Sequence, residues 1–570
     1  MKKRVLWIII AIVALLVGGG LWFLLSKGVG PAGFVKVAAS GGDRLLRDPM
    51  RPAAEGSRVL LIALDGVGYD ELARAVRSGQ MPHLARVLGQ PAGDDFEHGI
   101  LLRTLSILPS TTMAAWTSIY TGEPPARTGI PGNEWFVREE GRFFAPAPVT
   151  IDEFTHTVEM LTEDLMGRAL RVPTLYERLD RRAFVALAPI YRGADLFVFP
   201  APEAVGGVFL ETAQGITSGE SVSREAYSEM DEETVENLAE SIERHGIADL
   251  QVIYLAGTDL FAHVTEDPTA KTREYLGDVT DPAIRGLLRL YREAGIDERT
   301  YVVVVSDHGH TPVLEDDRHA LGATGSDEPA ALLEHVGFRV RPPKLELADE
   351  EGDYQAVLAY QGAMAYVHLA DRSTCPDAGM PCDWRLPPRL EEDVMPVARA
   401  FFEASRTGAG VPQLHGALDL VFAREPRGYQ EDARPFQVFD GDSLVPLPTY
   451  LERNPRPDLI RLEERMNWLS AGPYGHRSGD VLLLAMSGQE RPIEQRYYFS
   501  NEYRSWHGSP SAQDSYVPLL IAHLGQSGRE LRSRLRLDAG AELSQLDVVP
   551  LLCRLMESEG CDGMADSTRR

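Results

Sequence analysis

Short apolar runs recur along the chain and alternate with stretches of helical spacing. A continuous apolar run is typical of a strand that is buried on both faces of a parallel sheet. Helical patterns stand between several of these runs, at residues 70–77, 173–179 and 232–244. Alternating strands and helices predict an α/β domain with a mostly parallel central sheet covered by helices on both faces. The predicted strands cover residues 58–64, 184–189, 250–255, 301–306, 481–486 and 517–522.

The alternation stops over residues 319–474, where the sequence becomes Pro-rich and acidic and contains cysteine. Apolar runs resume after residue 474. This pattern predicts an inserted cap subdomain over 319–474 that divides one α/β domain into two parts, 58–318 and 475–556. Residues 557–570 are expected to form a C-terminal tail.

The N-terminus carries a different pattern. Val5–Leu25 is 21 residues long, contains no charged side chain and follows three basic residues. As a helix it would span about 31 Å, which is close to the thickness of a bilayer core. We predict an uncleaved signal anchor, a transmembrane helix over 1–27, with a Gly- and Pro-rich linker over 28–57 and an exported remainder. The alternative is secretion after signal cleavage, for which Val37–Ala39 offers a small-residue site.

Cysteine usage agrees with export. The four cysteines form two close pairs, Cys375 with Cys382 and Cys553 with Cys561. Local pairing is the simplest of the three possible connectivities, and an oxidising compartment such as a periplasm would allow both disulfides.

Overall charge limits the possible partners. The 570 residues include 57 Lys and Arg against 84 Asp and Glu, a formal net charge of -27. Such a charge repels a nucleic acid duplex, so we expect a small-molecule ligand and no nucleic acid partner. The sequence leaves the oligomeric state open.

Carboxylates and histidines follow three of the predicted strands. Asp65 ends the first, Asp259 and His263 follow the third, and Asp307 and His308 end the fourth. Functional residues of such sheets gather at the carboxyl ends of strands. Asp259 and His263 are four residues apart, so one helical turn would place both on the same face. A single Asp or His here is more often a turn or a cap, but five at three strand ends indicate a metal site.

A hydroxyl-rich segment precedes another apolar stretch. Thr111 and Thr112 follow Pro109-Ser, which is the pattern of a helix N-terminus. Simple capping is one interpretation. The other is a nucleophile stabilised by the helix dipole and a metal ion.

The ordered motifs resemble the alkaline phosphatase superfamily, and within it the nucleotide pyrophosphatase/phosphodiesterase (type I phosphodiesterase) branch. The resemblance covers about 58–318 and 475–556 and implies a three-layer α/β/α fold. The motifs are Leu-Asp65-Gly, Pro-Ser-Thr-Thr112 with Thr-Gly122, Gly-Asn133, Gly-Thr-Asp259-Leu-Phe-Ala-His263, Ser-Asp307-His308-Gly and Trp-His507-Gly-Ser.

The resemblance implies a two-metal phosphoric ester hydrolase. One ion would be held by Asp259, His263 and His507, and the other by Asp65, Asp307, His308 and Thr112. By family placement Thr112 is the nucleophile, with Thr111 as the close competitor, and Asn133 binds a phosphoryl oxygen. Mixed oxygen and nitrogen ligands suit two Zn²⁺ ions better than Ca²⁺ or Mg²⁺.

Phosphodiester or pyrophosphate cleavage through a phospho-threonine is therefore the expected activity. A phosphomonoesterase or phosphotransferase of the same superfamily and a membrane-anchored, non-catalytic binding protein are the alternatives. Met113-Ala114-Ala115 departs from the Phe-Pro-Asn that often follows the nucleophile in this branch, so the substrate stays open. Trp116, Tyr120, Trp135 and Phe136 have two interpretations. They could line a pocket for the leaving group, or they could pack in the hydrophobic core.

Overall fold

The computed structural model describes residues 41–200, 223–323, 325–348, 351–538, 540 and 542–561. The predicted anchor over 1–27 and the first part of the predicted linker lie outside these residues. Within the described part, no helix is long and apolar enough to cross a membrane.

Most strands belong to two large sheets. In chain order the strands are β1 (Gly42–Leu45), β2 (Arg58–Leu64), β3 (Pro91–Ala92), β4 (Asp95–Phe96), β5 (Gly99–Leu105), β6 (Trp135–Val137), β7 (Arg142–Phe144), β8 (Ala183–Ala186), β9 (Leu196–Phe199), β10 (Leu250–Leu255), β11 (Thr300–Ser306), β12 (Thr311–Pro312), β13 (Ala320–Leu321), β14 (Ala356–Tyr360), β15 (Met364–Leu369), β16 (Leu418–Ala423), β17 (Gln437–Phe439), β18 (Leu444–Pro446), β19 (Val481–Ala485), β20 (Tyr498–Phe499), β21 (Ser505–Trp506), β22 (Tyr516–Ala522) and β23 (Leu543–Ser544).

The α-helices in chain order are α1 (Tyr69–Arg77), α2 (Pro82–Leu88), α3 (Thr112–Thr121), α4 (Pro125–Thr128), α5 (Thr155–Glu163), α6 (Leu165–Ala169), α7 (Leu175–Leu179), α8 (Glu225–His245), α9 (Gly257–Val264), α10 (Pro268–Tyr275), α11 (Asp281–Glu293), α12 (Glu328–His335), α13 (Met395–Thr407), α14 (Leu447–Arg453), α15 (Leu462–Ser470), α16 (Ala512–Ser515), α17 (Gly528–Leu535) and α18 (Val548–Leu555). The three helical patterns predicted from the sequence are confirmed as α1, α7 and α8.

The main sheet has eleven strands, ordered β1-β9-β8-β10-β2-β11-β22-β5-β4-β3, with β23 pairing to β5. Strands β9, β8, β10, β2 and β11 run parallel to one another. Strand β22 lies between β11 and β5 and is antiparallel to both. The sheet is therefore mixed, with a parallel half, where the sequence predicted a mostly parallel sheet.

Both faces of this sheet are buried, as the continuous apolar runs predict. In β2, Val59, Leu61 and Ala63 pack into one apolar cluster and Leu60, Ile62 and Leu64 into the other. Helices α3, α7 and α18 contribute to the first cluster, and helices α1, α2, α8 and α11 to the second. The result is the predicted three-layer α/β/α arrangement.

The second sheet has six strands, ordered β14-β15-β19-β16-β17-β18, and every pairing is antiparallel. Strand β19, which the sequence assigned to the central sheet, lies in the middle of this second sheet. An apolar run buried on both faces looks the same in either sheet, so hydrophobicity did not distinguish them. The second sheet therefore includes a strand that follows the boundary predicted at residue 474.

Two further segments bear on the predicted boundaries. Strand β1 pairs with β9, so residues 42–45 belong to the main sheet although they fall in the predicted linker. Cys375 bonds to Cys382 and Cys553 to Cys561, which confirms the local pairing. The second disulfide ties the start of the predicted tail to helix α18.

Candidate active site

Strand ends bring the predicted chemical groups to one edge of the main sheet. Asp65 follows β2, and Asp307 follows β11, the neighbouring parallel strand. Helix α9 begins two residues after β10 and carries Asp259 and His263 on successive turns. His507 follows β21 and joins them from a distant part of the chain. These five side chains are all buried.

One cluster contains Asp259, His263 and His507. The Nε2 atom of His263 lies 3.6 Å from Asp259 Oδ2, and Nε2 of His507 lies 3.9 Å from Asp259 Oδ1. One ligand atom from each residue falls within 4.8 Å of the others, so the three residues could hold a single ion. The structure thus brings together the first ligand set implied by the resemblance.

A second cluster contains Asp65, Asp307 and His308. His308 Nε2 lies 3.2 Å from Asp307 Oδ2 and 3.5 Å from Asp65 Oδ1. This is the second implied set, and its ligand atoms also lie within 4.8 Å of one another. The imidazole rings of His308 and His507 stack with their centroids 3.5 Å apart, so the two clusters are adjacent.

The three histidines are held in the same way. Each Nδ1 atom contacts a backbone carbonyl oxygen: His263 that of Ser505 at 2.8 Å, His507 that of Ser110 at 3.0 Å, and His308 that of Gly309 at 3.1 Å. A proton on Nδ1 would donate to each carbonyl and leave the Nε2 lone pair facing the carboxylates. This arrangement is typical of histidines that bind metal ions.

The electrostatics of the site fit a cation. Burial lowers the pKa of His308 to about 3 and that of His263 to about 4, so both imidazoles are neutral near pH 7. Burial and the charges of Asp307 and Asp259 raise the pKa of Asp65 well above its usual range. Among the described residues, one buried oxygen each of Asp65 and Asp307 accepts no hydrogen bond. Buried anionic oxygens need a compensating charge, which divalent ions would supply.

Thr112 is the first residue of helix α3 and lies at the second cluster. Its Oγ1 atom is 3.4 Å from His308 Nε2. Residues in the first turn of a helix carry unpaired N–H groups and a partial positive charge, both of which favour an anion there. One turn later Trp116 donates from Nε1 to Asp65 Oδ2 at 3.2 Å and fixes the helix against the cluster. The competing Thr111 precedes the helix, and its buried hydroxyl has no hydrogen-bond partner in the described chain.

Asn133 lies beside the start of the same helix. Its Oδ1 atom accepts a hydrogen bond from the Met113 N–H at 2.9 Å. With the oxygen occupied in this way, the amide Nδ2 is the group that can donate to a ligand. Asn133 and Thr112 both line the cavity that opens beside the clusters.

That cavity has a volume of about 290 Å³ and walls that are mostly apolar. Among the described residues that line it, none is a lysine or an arginine. Trp116, Tyr120, Trp135 and Phe136 are all in the hydrophobic core and do not line it. The apolar lining comes instead from Met113, Pro146, Ala147, Pro148, Val149, Ile151, Phe154, Met160, Leu161, Leu187, Pro189, Met230, Ala256, Leu260 and Trp506.

His310 also lies in the candidate site, although no pattern in the sequence was sufficient to include it. Its Nε2 atom lies 2.8 Å from Asp259 Oδ1, and its Nδ1 atom lies 3.0 Å from Ser505 Oγ. Gly66, at φ +68°, approaches so closely that a Cβ atom there would lie 2.6 Å from His310 Nε2. The Asp-His-Gly-His motif was the only sequence signal that pointed to His310. It was not sufficient, because a histidine in a loop has many structural roles.

We expect His310→Ala to weaken metal binding by about 10- to 100-fold, because loss of a hydrogen bond to a ligating carboxylate usually costs that much. Competition with a chromogenic chelator measures the affinity. His319→Ala is the matched control, since this buried histidine contacts Asp316 and the Glu494 carbonyl instead. Equal affinities of the two variants would contradict a role for His310 at the site.

The family model for type I phosphodiesterase / nucleotide pyrophosphatase matches residues 59–358, which is more than half of the chain. The chain belongs to this family. It is therefore a hydrolase that acts on phosphoric ester bonds. Among curated proteins, none matches the chain significantly.

Solved structures confirm the alkaline phosphatase-like fold. Murine ectonucleotide pyrophosphatase/phosphodiesterase 5, in an inactive threonine-to-alanine form in complex with AMP, aligns with a TM-score of 0.50 at 14% identity. That alignment covers 88% of this chain and 96% of the murine chain. A mutant of the alkaline phosphatase PafA aligns with a TM-score of 0.52 at 15% identity, covering 89% of this chain and 97% of PafA.

Proposed function

We propose that this phosphodiesterase-family enzyme cleaves phosphodiester or pyrophosphate bonds through a phospho-threonine formed on Thr112. The observation that carries the proposal is the position of the Thr112 hydroxyl, at a helix N-terminus and 3.4 Å from His308 Nε2. We assign two Zn²⁺ ions to the two clusters, because neutral imidazoles and carboxylates in sets of three suit that ion. The ligands would be Asp259, His263 and His507 for one ion and Asp65, Asp307 and His308, with Thr112, for the other.

When bound, the two ions would lower the pKa of the Thr112 hydroxyl and neutralise charge on the leaving oxygen. Thr112 Oγ1 attacks phosphorus, and the bond from phosphorus to the leaving oxygen breaks. Asn133 Nδ2 and the Thr112 N–H donate to a non-bridging oxygen, whose negative charge grows in the transition state. Water then cleaves the phospho-threonine, releasing the second product and restoring the hydroxyl.

The cavity favours a diester over a monoester. A monoester dianion brings one more negative charge than a diester, and the described lining contains no lysine or arginine to offset it. A diester has a second substituent, and an apolar cavity of about 290 Å³ can bury one of modest size. We therefore propose diesters with an apolar or nucleoside substituent as substrates. The AMP bound by the murine relative supports the nucleoside as one member of that class.

A substrate comparison at one pH tests this proposal. We expect kcat/KM for bis(4-nitrophenyl) phosphate to exceed that for 4-nitrophenyl phosphate by at least about tenfold. The 4-nitrophenyl esters of methylphosphonate and phenylphosphonate share one leaving group and differ only in the remaining substituent. Faster cleavage of the phenyl compound would support an apolar subsite, whereas a strong monoester preference would exclude the diesterase assignment.

We also propose that residues 1–27 anchor the enzyme and that its catalytic domain is exported. The two disulfides support export, since they require an oxidising compartment to persist. The full chain is expected to stay in the membrane fraction after an alkaline wash, and a chain beginning at residue 41 to be released. A mature N-terminus near Ser40 would instead show cleavage and secretion.

A further inference from the structure

The turn between β14 and β15 reaches from the second sheet into the active site. Gln361 lies in this turn and is fully buried. Its Oε1 atom accepts a hydrogen bond from the Asn133 N–H at 2.7 Å, and its Nε2 atom donates to the Glu134 carbonyl. One amide side chain therefore bonds to the backbone of two successive residues, Asn133 and Glu134. The first of these is the proposed phosphoryl ligand.

The fit around this amide is close. A Cβ atom on Gly132 would lie 1.9 Å from Gln361 Oε1, so only glycine allows the approach. Tyr366 in β15 donates to the Pro131 carbonyl at 2.7 Å and supports the same loop. Residues 131–134 are thus held against the second sheet by side chains from two of its elements.

The same turn also supports a proposed metal ligand. The Ala363 N–H donates to the His507 carbonyl at 3.1 Å. Gly362, at φ +70°, packs so closely that a Cβ atom would lie 2.4 Å from that carbonyl oxygen. Three consecutive residues of the second sheet therefore contact the backbone of two site residues that come from different parts of the chain.

We propose that Gln361 is a positioning residue, which acts through Asn133 to hold the phosphoryl-binding amide beside Thr112. This inference rests on the proposed function of Asn133. The chain of contacts runs from Gln361 to the Asn133 N–H, and from Asn133 Oδ1 to the Met113 N–H in the first turn of α3. A donor for a transition-state oxygen works only when its position is fixed in advance. The second sheet therefore contributes to catalysis without touching substrate.

Gln361→Met removes both hydrogen bonds and keeps the side-chain volume. We expect kcat to fall by about 10- to 100-fold with little change in KM, because the lost interaction strengthens in the transition state. Gln355→Met is the matched control: Gln355 is buried immediately before β14, and its amide donates to the Cys375 carbonyl and not to the backbone of a site residue. The control should keep kcat within about twofold of wild type and bind as much metal as Gln361→Met.

A double-mutant cycle with Asn133→Ala separates positioning from general damage. If Gln361 acts through Asn133, Gln361→Met should cost about tenfold or more in wild type and less than about twofold in the Asn133→Ala background. If Gln361→Met folds poorly, Gly132→Ala replaces it, because the added Cβ would displace the Gln361 amide. Its effect on kcat should likewise be large in wild type and small in the Asn133→Ala background. Additive losses would overturn the role of Gln361 while leaving the proposed function intact. Full activity of Asn133→Ala alone would overturn the proposed roles of both Gln361 and Asn133.

Discussion

Replacing Thr112 with alanine is expected to lower kcat by about three to six orders of magnitude. The reason is that covalent catalysis loses its whole pathway when the nucleophile is removed. Thr112 Oγ1 lies 3.4 Å from His308 Nε2, and the helix N-terminus adds partial positive charge there. Initial rates with bis(4-nitrophenyl) phosphate at saturating Zn²⁺ measure the effect.

Thr111→Ala is the matched control for this experiment. Thr111 is the N-cap residue of α3, but its side chain makes no capping hydrogen bond. Its removal should therefore change kcat by no more than about threefold. A large loss in Thr111→Ala with normal turnover in Thr112→Ala would move the nucleophile by one residue.

Chelation is expected to abolish activity, and added Zn²⁺ to restore it. Three buried carboxylates, Asp65, Asp259 and Asp307, meet at the site, and burial with the Asp259 charge raises the pKa of Asp307 well above its usual range. The three histidines should stay in place when the ions are removed, because their Nδ1 atoms contact backbone carbonyl oxygens and these contacts do not depend on an ion. Circular dichroism before and after chelation checks that the fold persists. Turnover that survives exhaustive chelation would exclude the two-metal mechanism.

Asp307→Asn offers a second readout of the same charge cluster. Without metal, the variant is expected to melt at a higher temperature than the wild type, because it removes one of the repelling buried charges. With Zn²⁺ the order should reverse, because the wild type gains stability from an ion that the variant binds weakly. Thermal denaturation of both proteins with and without Zn²⁺ tests this crossing.

Local pattern predicted many of the residues that the structure brings together in the candidate site. Asp65, Asp259 and Asp307 were found because each follows a buried apolar strand, and parallel strands end at one edge. Asp259 and His263 share a helix, so their spacing alone indicated a common ligand set. The resemblance added His507 and Asn133, which no local pattern would have linked to the others.

Other features depend on contacts that the sequence does not encode locally. Gln361 is an ordinary glutamine between two strands, and only the packing of the second sheet shows what its amide contacts. Strand β19 has the same apolar character as β10, so its sheet was misassigned. The direction of β22 was also missed, because an antiparallel strand inside a buried sheet is as apolar as its parallel neighbours.

Strand β22 has a consequence for the order in which the protein assembles. The proposed nucleophile follows β5, whereas five of the proposed metal ligands follow β2, β10 and β11. Strand β22 joins β5 to β11. During synthesis the ribosome makes β22 last among these strands, more than 400 residues after β5. Long-range pairing of this kind forms slowly. Until β22 is made, the emerging chain therefore carries the Thr112 hydroxyl and the proposed ion-binding groups on two separate pieces of sheet, and we expect hydrolysis to begin only after β22 has joined them.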